Sequence, residues 1–146
     1  MRAEVKSKAG MLKEGSAGGF TVMCDESESI GGDGTAPMPL QYFFLSLGFC
    51  MLTQVSRNAE AMKIEVKDAT ARVTGYLGSE GDVADGTSVH TVTGIDVEMN
   101  IDSDAPARQI AELVRRAENM CYVTQAIKAP IEPKLSVTHN QVPITP

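Results

Sequence analysis

The sequence predicts one α+β domain spanning residues 1–146. Three observations carry this. A long apolar stretch has the length of a helix, two alternating stretches behind it have the period of paired strands, and a second helical stripe follows them.

The chain begins with alternation from Ala3 to Ala9, with Ala3, Val5 and Ser7 on one side and Glu4, Lys6 and Lys8 on the other. That predicts a short half-buried strand. Glycines 10, 15, 18 and 19 punctuate the next stretch. Phe20–Asp25 (FTVMCD) predicts a second strand, hairpin-paired with the first, with Cys24 at its end. Asp25 to Pro39 is a turn-rich segment, DESESIGGDGTAPMP. A glycine-rich loop ahead of a helix raises the question of phosphate binding. Neither GxGxxG nor GxxxxGK[ST] is present, no Lys follows, and Asp25, Glu26, Glu28 and Asp33 oppose an anion, which argues against phosphate cradling. These acids read as a solvated loop, with Asp25 and Glu26 having the better claim to a fixed place.

Pro39 to Arg57 (PLQYFFLSLGFCMLTQVSR) is the centre of the chain. It has the length of a helix of about five turns, and Pro39 suits a first helical position because its missing N–H would have no partner there. Phe43, Phe44, Leu45, Leu47, Phe49, Met51, Leu52 and Val55 leave nearly every face apolar, and a helix apolar all round is expected to be buried. Gln41, Ser46, Gly48, Thr53 and Gln54 interrupt it, which argues against a membrane span. Cys50 is set into its middle.

Met62, Ile64 and Val66 alternate with Lys63, Glu65 and Lys67, predicting a strand that continues to Leu77 with a bend near Asp68. Gly78–Ser88 reads as a polar loop and Val89–Asp102 as the returning strand, with Ile95, Val97, Met99 and Ile101 on the apolar face. Ser103 or Asp104 is placed as the cap of a second helix, with Pro106 in its first turn. Its stripe runs Ile110, Leu113, Val114, Ala117 and Cys121. A short helical turn at Thr124–Lys128 precedes Pro130 and Pro133, Lys134–His139 is read as a last strand closing the sheet, and the tail is expected to be loose. The predicted order is β-β-α-β-β-α-β.

A net charge of −6 and the absence of a basic stripe argue against a general nucleic-acid binder. No charged-then-apolar leader is visible, and the chain is expected in the cytoplasm. Three cysteines without regular spacing do not make an extracellular disulfide framework; in a reducing compartment they are buried, catalytic or redox-active. His90 and His139 lie on strands with no CxxC or HxxxH spacing, so no metal site is expected. Met51, Met62, Met99 and Met120 are assigned to gap-filling in the core.

Cys50 and Cys121, each on the buried side of a helix, form a candidate redox pair. A thiolate attacks an O–O bond, becomes a sulfenic acid, and condenses with a second thiol to a disulfide. The same positions fit plain packing, since cysteine is among the most buried residue types.

The residues also resemble a known family, the OsmC/Ohr hydroperoxide reductases. The resemblance rests on Asp25-Glu26-Ser27 at a strand end, the Gly31-Gly32-Asp33-Gly34 loop, Pro39 opening a helix, LSLGFC ending at Cys50, and AENMCYVTQAI from Ala117 to Ile127 around Cys121. It covers nearly the whole chain. It implies an intertwined homodimer with two central helices packed together and two active sites at the interface. Cys50 would be the peroxidatic thiol and Cys121 the resolving one, reduced by a dithiol (a lipoyl group in the well-studied branch), with no metal or organic cofactor. Phe43, Leu47, Phe49, Leu40 and Gln41 would form the substrate surroundings, their apolar character favouring an organic hydroperoxide because an alkyl tail gains by burial.

Two departures bear on the chemistry. The well-studied peroxidases hold the reactive thiolate with an early-strand Arg and a first-turn Glu of the central helix. Here Leu40 stands at the Glu position, and the only early arginine is Arg2. Tyr122 replaces the Pro after the second cysteine. Two further readings therefore stand beside the peroxidase: a dimer of the same fold that binds a small molecule or partner without catalysis, and a thiol carrier of sulfur or electrons.

Overall fold

The computed structural model of the protein describes residues 1–129 and 131–145; Pro130, read above as following the last helical turn, lies outside the described residues. The chain opens with strands β1 (Ala3–Ser7), β2 (Lys13–Ala17) and β3 (Phe20–Cys24), which form an antiparallel meander. The hairpin partner of β3 is therefore β2, not β1. The Gly18-Gly19 pair, with φ of 58° and 85°, makes the tight turn between β2 and β3. β1 is exposed along its whole length rather than half-buried.

A loop with a single 3-10 turn at Glu28–Ile30 leads to α1 (Pro39–Met62). The helix starts at the expected proline, and the Met38 N–H donates to the Gln41 side-chain oxygen at 2.9 Å, satisfying one of the free donors there. It runs past Arg57 because Asn58, Ala59, Glu60, Ala61 and Met62 carry the helix on until Lys63 turns left-handed at φ 55°. Met62 thus ends a helix instead of opening a strand. The strand itself, β4 (Asp68–Glu80), begins at the expected bend and pairs antiparallel with β5 (Val89–Asp102), with a bulge at Tyr76/Leu77.

α2 (Ala107–Met120) and α3 (Tyr122–Lys128) follow. Pro106 precedes α2 rather than lying in its first turn, and Ser103 does not cap it; its hydroxyl donates to the Glu65 carbonyl at 2.5 Å and closes the β4 side of the fold. β6 (Val137–His139) and β7 (Val142–Ile144) form a separate hairpin around left-handed Asn140 and Gln141. The last predicted strand therefore pairs with the tail instead of joining a larger sheet.

α1 carries the core. Val55, Ala59 and Ile64 pack against Leu113 and Ala117 of α2, with Met99 and Ile101 of β5 beside them. Nearer the start of α1, Leu47 and Met51 pack against Cys121, Val73 and Ile95. The two helices are thus antiparallel. Met51 is buried as expected, whereas Met120 is exposed.

The other faces of α1 are open. Leu40, Phe43 and Leu45 are exposed, and Phe49 keeps 65% of its surface, so the helix is not buried all round within one chain. The reason is visible in the area. The chain exposes 11206 Å², against about 7,200 Å² for a compact monomer of its mass. The three-stranded sheet contributes, because it stands off from the helical layer and is tied to it mainly by the Tyr42 hydroxyl, which donates to the Met23 carbonyl at 2.5 Å. No helix is long and apolar enough, among the described residues, to cross a membrane.

Candidate active site

Cys50 sits mid-way along α1, on the face shared with Leu47, Met51 and Gln54. Cys121 lies where α2 stops. Its backbone is extended (φ −78°, ψ 107°), so it does not continue the α2 helix as the stripe predicts but forms the junction between α2 and α3. The two cysteines, distant in sequence, pack against each other, and both are free thiols. Cys121 is fully buried, while Cys50 is partly open.

The junction gives Cys121 its partners. The Thr124 N–H donates to its Sγ at 3.4 Å. The Thr124 hydroxyl donates to Met51 Sδ at 3.4 Å. Burial is the largest influence on Cys121 and raises it, but the Thr124 hydroxyl, the Cys50 thiol and the Thr124 and Val123 N–H groups outweigh it, and the thiol falls below the ordinary range. For Cys50, burial pushes the thiol up; the Val123 N–H opposes this and the neighbouring Cys121 sulfur reinforces it, so it stays above the ordinary range. Such a pair can do thiol redox chemistry, cycling between two thiols and a disulfide.

Grooves flank the pair. One of about 600 Å³ is lined by Leu47, Met51, Ile95 and Thr124, with Glu118 and Lys128, ion-paired at 2.5 Å, among its lining. Another of about 700 Å³ runs past Phe43, Tyr122 and Val123. Leu47 and Phe43 therefore line separate grooves. Phe49 and Gln41 line a third groove, with Phe44 and Val73. Gln41 is also engaged in capping α1. Leu40 is ten residues before Cys50, about 15 Å along the helix, so it cannot touch the thiol of its own chain.

Cys24 ends β3, and burial, with Glu26 and Asp25 nearby, raises its thiol. His90 and His139 are exposed, and among the described residues no group of three or more His, Cys, Asp or Glu could hold a metal ion. Sequence reasoning passed over Thr124 as a site residue, although a Thr three positions after Cys121 has the spacing of a cap partner. It also missed Gln54 and Asn58, polar residues buried on the core face of α1. The Asn58 amide donates to the Gln54 carbonyl at 2.8 Å, while the Gln54 side-chain oxygen has no partner among the described residues.

Asp25 organises the loop before α1. Its carboxylate accepts from the Thr35 hydroxyl at 2.8 Å and from the N–H groups of Glu26, Thr35 and Asp33 at 2.9, 3.1 and 3.3 Å. The fixed place expected for Asp25 is thus a loop clasp.

Comparison with known proteins agrees with this architecture. A family model described as OsmC-like protein matches residues 32–136. No curated protein sequence matches the chain. Among solved structures, one described as an osmotic stress induced and detoxification response protein from Psychrobacter arcticus is 21% identical, with 88% of each chain covered and a TM-score of 0.70. An organic hydroperoxide resistance protein OsmC from Legionella pneumophila is 19% identical over 88% of this chain and 90% of its own, at a TM-score of 0.66. An organic hydroperoxide resistance protein from Vibrio cholerae, with captopril bound in one of its active sites, is 19% identical over 90% of this chain and 88% of its own, at 0.61. At these identities the likeness is one of fold. With the family model covering most of the sequence, including both cysteines of the buried pair, the chain belongs to the family of OsmC-like proteins.

Proposed function

We propose that the protein is a thiol-dependent reductase of organic hydroperoxides, working through Cys50 and Cys121. The observation that carries this is the packing of two reduced thiols, one buried and one partly open, in otherwise apolar surroundings. Cys50 attacks the outer peroxide oxygen, the O–O bond breaks and the alcohol leaves, and Cys50 becomes a sulfenic acid; Cys121 condenses with it, forming the disulfide and releasing water. An external dithiol, a lipoyl group by family likeness, returns both thiols. The apolar grooves at Phe43 and Leu47 favour an alkyl hydroperoxide over hydrogen peroxide. Related folds described as hydroperoxide resistance proteins support the same substrate class.

The working unit in this reading is a homodimer whose subunits each comprise one domain, residues 1–146. The surface left open, about 4,000 Å² beyond that of a compact monomer, suits a large obligate interface.

The test is one equivalent of an alkyl hydroperoxide added to the reduced protein, followed by non-reducing peptide mapping. A Cys50–Cys121 disulfide within seconds is the expected result. Free thiols after many minutes would instead favour the non-catalytic binding dimer, which the open apolar grooves also suit.

A further inference from the structure

We propose that Met51 is a second oxidation site, at which an organic hydroperoxide held in the groove beside α1 converts the thioether to a sulfoxide, with the Thr124 hydroxyl supplying the hydrogen bond that favours it. The oxidant is taken from the function proposed above; the site itself uses neither cysteine.

The sulfur and its donor come from distant parts of the chain. Met51 belongs to α1 and Thr124 to α3, and the Thr124 hydroxyl donates to Met51 Sδ at 3.4 Å. Both residues line the same groove of about 600 Å³, whose other walls include Leu47, Ile95 and Ile110. A hydroperoxide with an apolar tail gains by burial in such a groove, and its O–O bond then lies along a wall that carries a sulfur.

The hydrogen bond is better suited to the product than to the reactant. A thioether is a weak acceptor. Oxygen transfer to sulfur builds positive charge on the sulfur and negative charge on the oxygens, and a donor already in place stabilises that separation where water is scarce. The Thr124 hydroxyl needs only to turn from Sδ to the oxygen that Sδ has gained. A sulfoxide at Met51 is thus a polar group that arrives with its partner present, whereas most buried methionines would lack one.

The step balances. The Met51 sulfur attacks the outer oxygen of ROOH, the S–O bond forms and the O–O bond breaks. The hydroperoxide's own proton ends on the leaving alkoxide as ROH. The sulfur loses two electrons and the peroxide gains them. A further equivalent of hydroperoxide is consumed in this way without the dithiol, and a reductase of methionine sulfoxide returns the thioether.

Exposure alone predicts a different order of damage. Met51 keeps 5% of its surface, against 46% for Met11 and 54% for Met120. The test is a time course of peptide mapping on the full-length protein under excess cumene hydroperoxide, repeated with hydrogen peroxide, which has no tail to hold. Met51 sulfoxide is expected ahead of the Met11 and Met120 sulfoxides with cumene hydroperoxide, and behind them with hydrogen peroxide. The first order should persist in Cys50→Ser, which removes any relay through that sulfur. Thr124→Val should slow Met51 oxidation about tenfold while Met11 and Met120 keep their rates, and Thr124→Ser should restore it. Met11 and Met120 oxidising first with cumene hydroperoxide overturns the site. A Thr124→Val protein that oxidises Met51 as fast as its parent, or faster, overturns the role of the hydroxyl. The same maps report the Cys50–Cys121 disulfide separately. Met51 sulfoxide without that disulfide upholds the site and sinks the peroxidase reading; the disulfide without Met51 sulfoxide does the reverse.

Discussion

The ring of Phe44 stands where a side chain at position 75 would be. A Cβ on Gly75 would fall inside the contact distance of Phe44 Cζ and Cε1, so the ring of α1 presses against bare backbone of β4. This contact sets how closely the central helix approaches its sheet. Gly75→Ala is expected to cost about 1–3 kcal/mol by overpacking. Chemical denaturation checks it, and adding Phe44→Leu should return most of the loss.

The Asp25 clasp predicts sensitivity to acid. The Thr35 N–H and hydroxyl hold its carboxyl below the ordinary carboxylate range, with the Glu26 and Asp33 N–H groups adding to them against burial. A depressed folded pKa contributes stability above the unfolded value, about 3.9, and that contribution is lost as pH falls through the folded value. Asp25→Ala should lower the thermal midpoint at neutral pH by several degrees and speed amide exchange at Asp33 and Thr35. Below the folded pKa of Asp25, parent and variant should converge.

The open face of α1 predicts association. Sedimentation of the parent protein should report a dimer. A charge placed on that face, Phe49→Asp or Leu45→Asp, should shift it toward monomer, because an unpaired carboxylate is expensive to enclose. A parent protein that sediments as a stable monomer would sink the homodimer.

The two cysteines should respond differently to replacement. Cys50→Ser should abolish disulfide formation and peroxide turnover. Cys121→Ser should let a sulfenic acid accumulate at Cys50, detectable by a dimedone adduct in mass spectrometry. Full turnover in Cys50→Ser contradicts the mechanism.

The parts of the fold legible in the sequence are those with a strong period. The apolar run after Pro39, the alternation of Val89–Asp102 and the Leu113–Ala117 stripe each bury one face, and burial writes itself into residue type. β2 escaped because KEGSA has no apolar face to display; it is held by ladder hydrogen bonds between β1 and β3. The MKIEVK alternation misled because one period crosses a helix end at Met62 and a left-handed Lys63. Both cysteines were legible as core-facing residues. The break at Cys121 was read one turn late, at Thr124, because the apolar stripe of α2 runs on through Cys121 and masks the cap spacing of Cys121 and Thr124. The buried Gln54 was equally hidden, because an amide on a long helix gives no sign of which side it faces.

The three-stranded sheet at the start of the chain has a consequence for how the molecule comes apart. It shares few contacts with the helical layer, and the Tyr42–Met23 hydrogen bond and the Asp25 loop carry much of the connection. A unit joined so thinly need not melt with the rest. In an isolated subunit, everything before Asp25 would open first, exchange its amides ahead of α1, and leave the 26–38 loop to a protease while the helical core stayed whole.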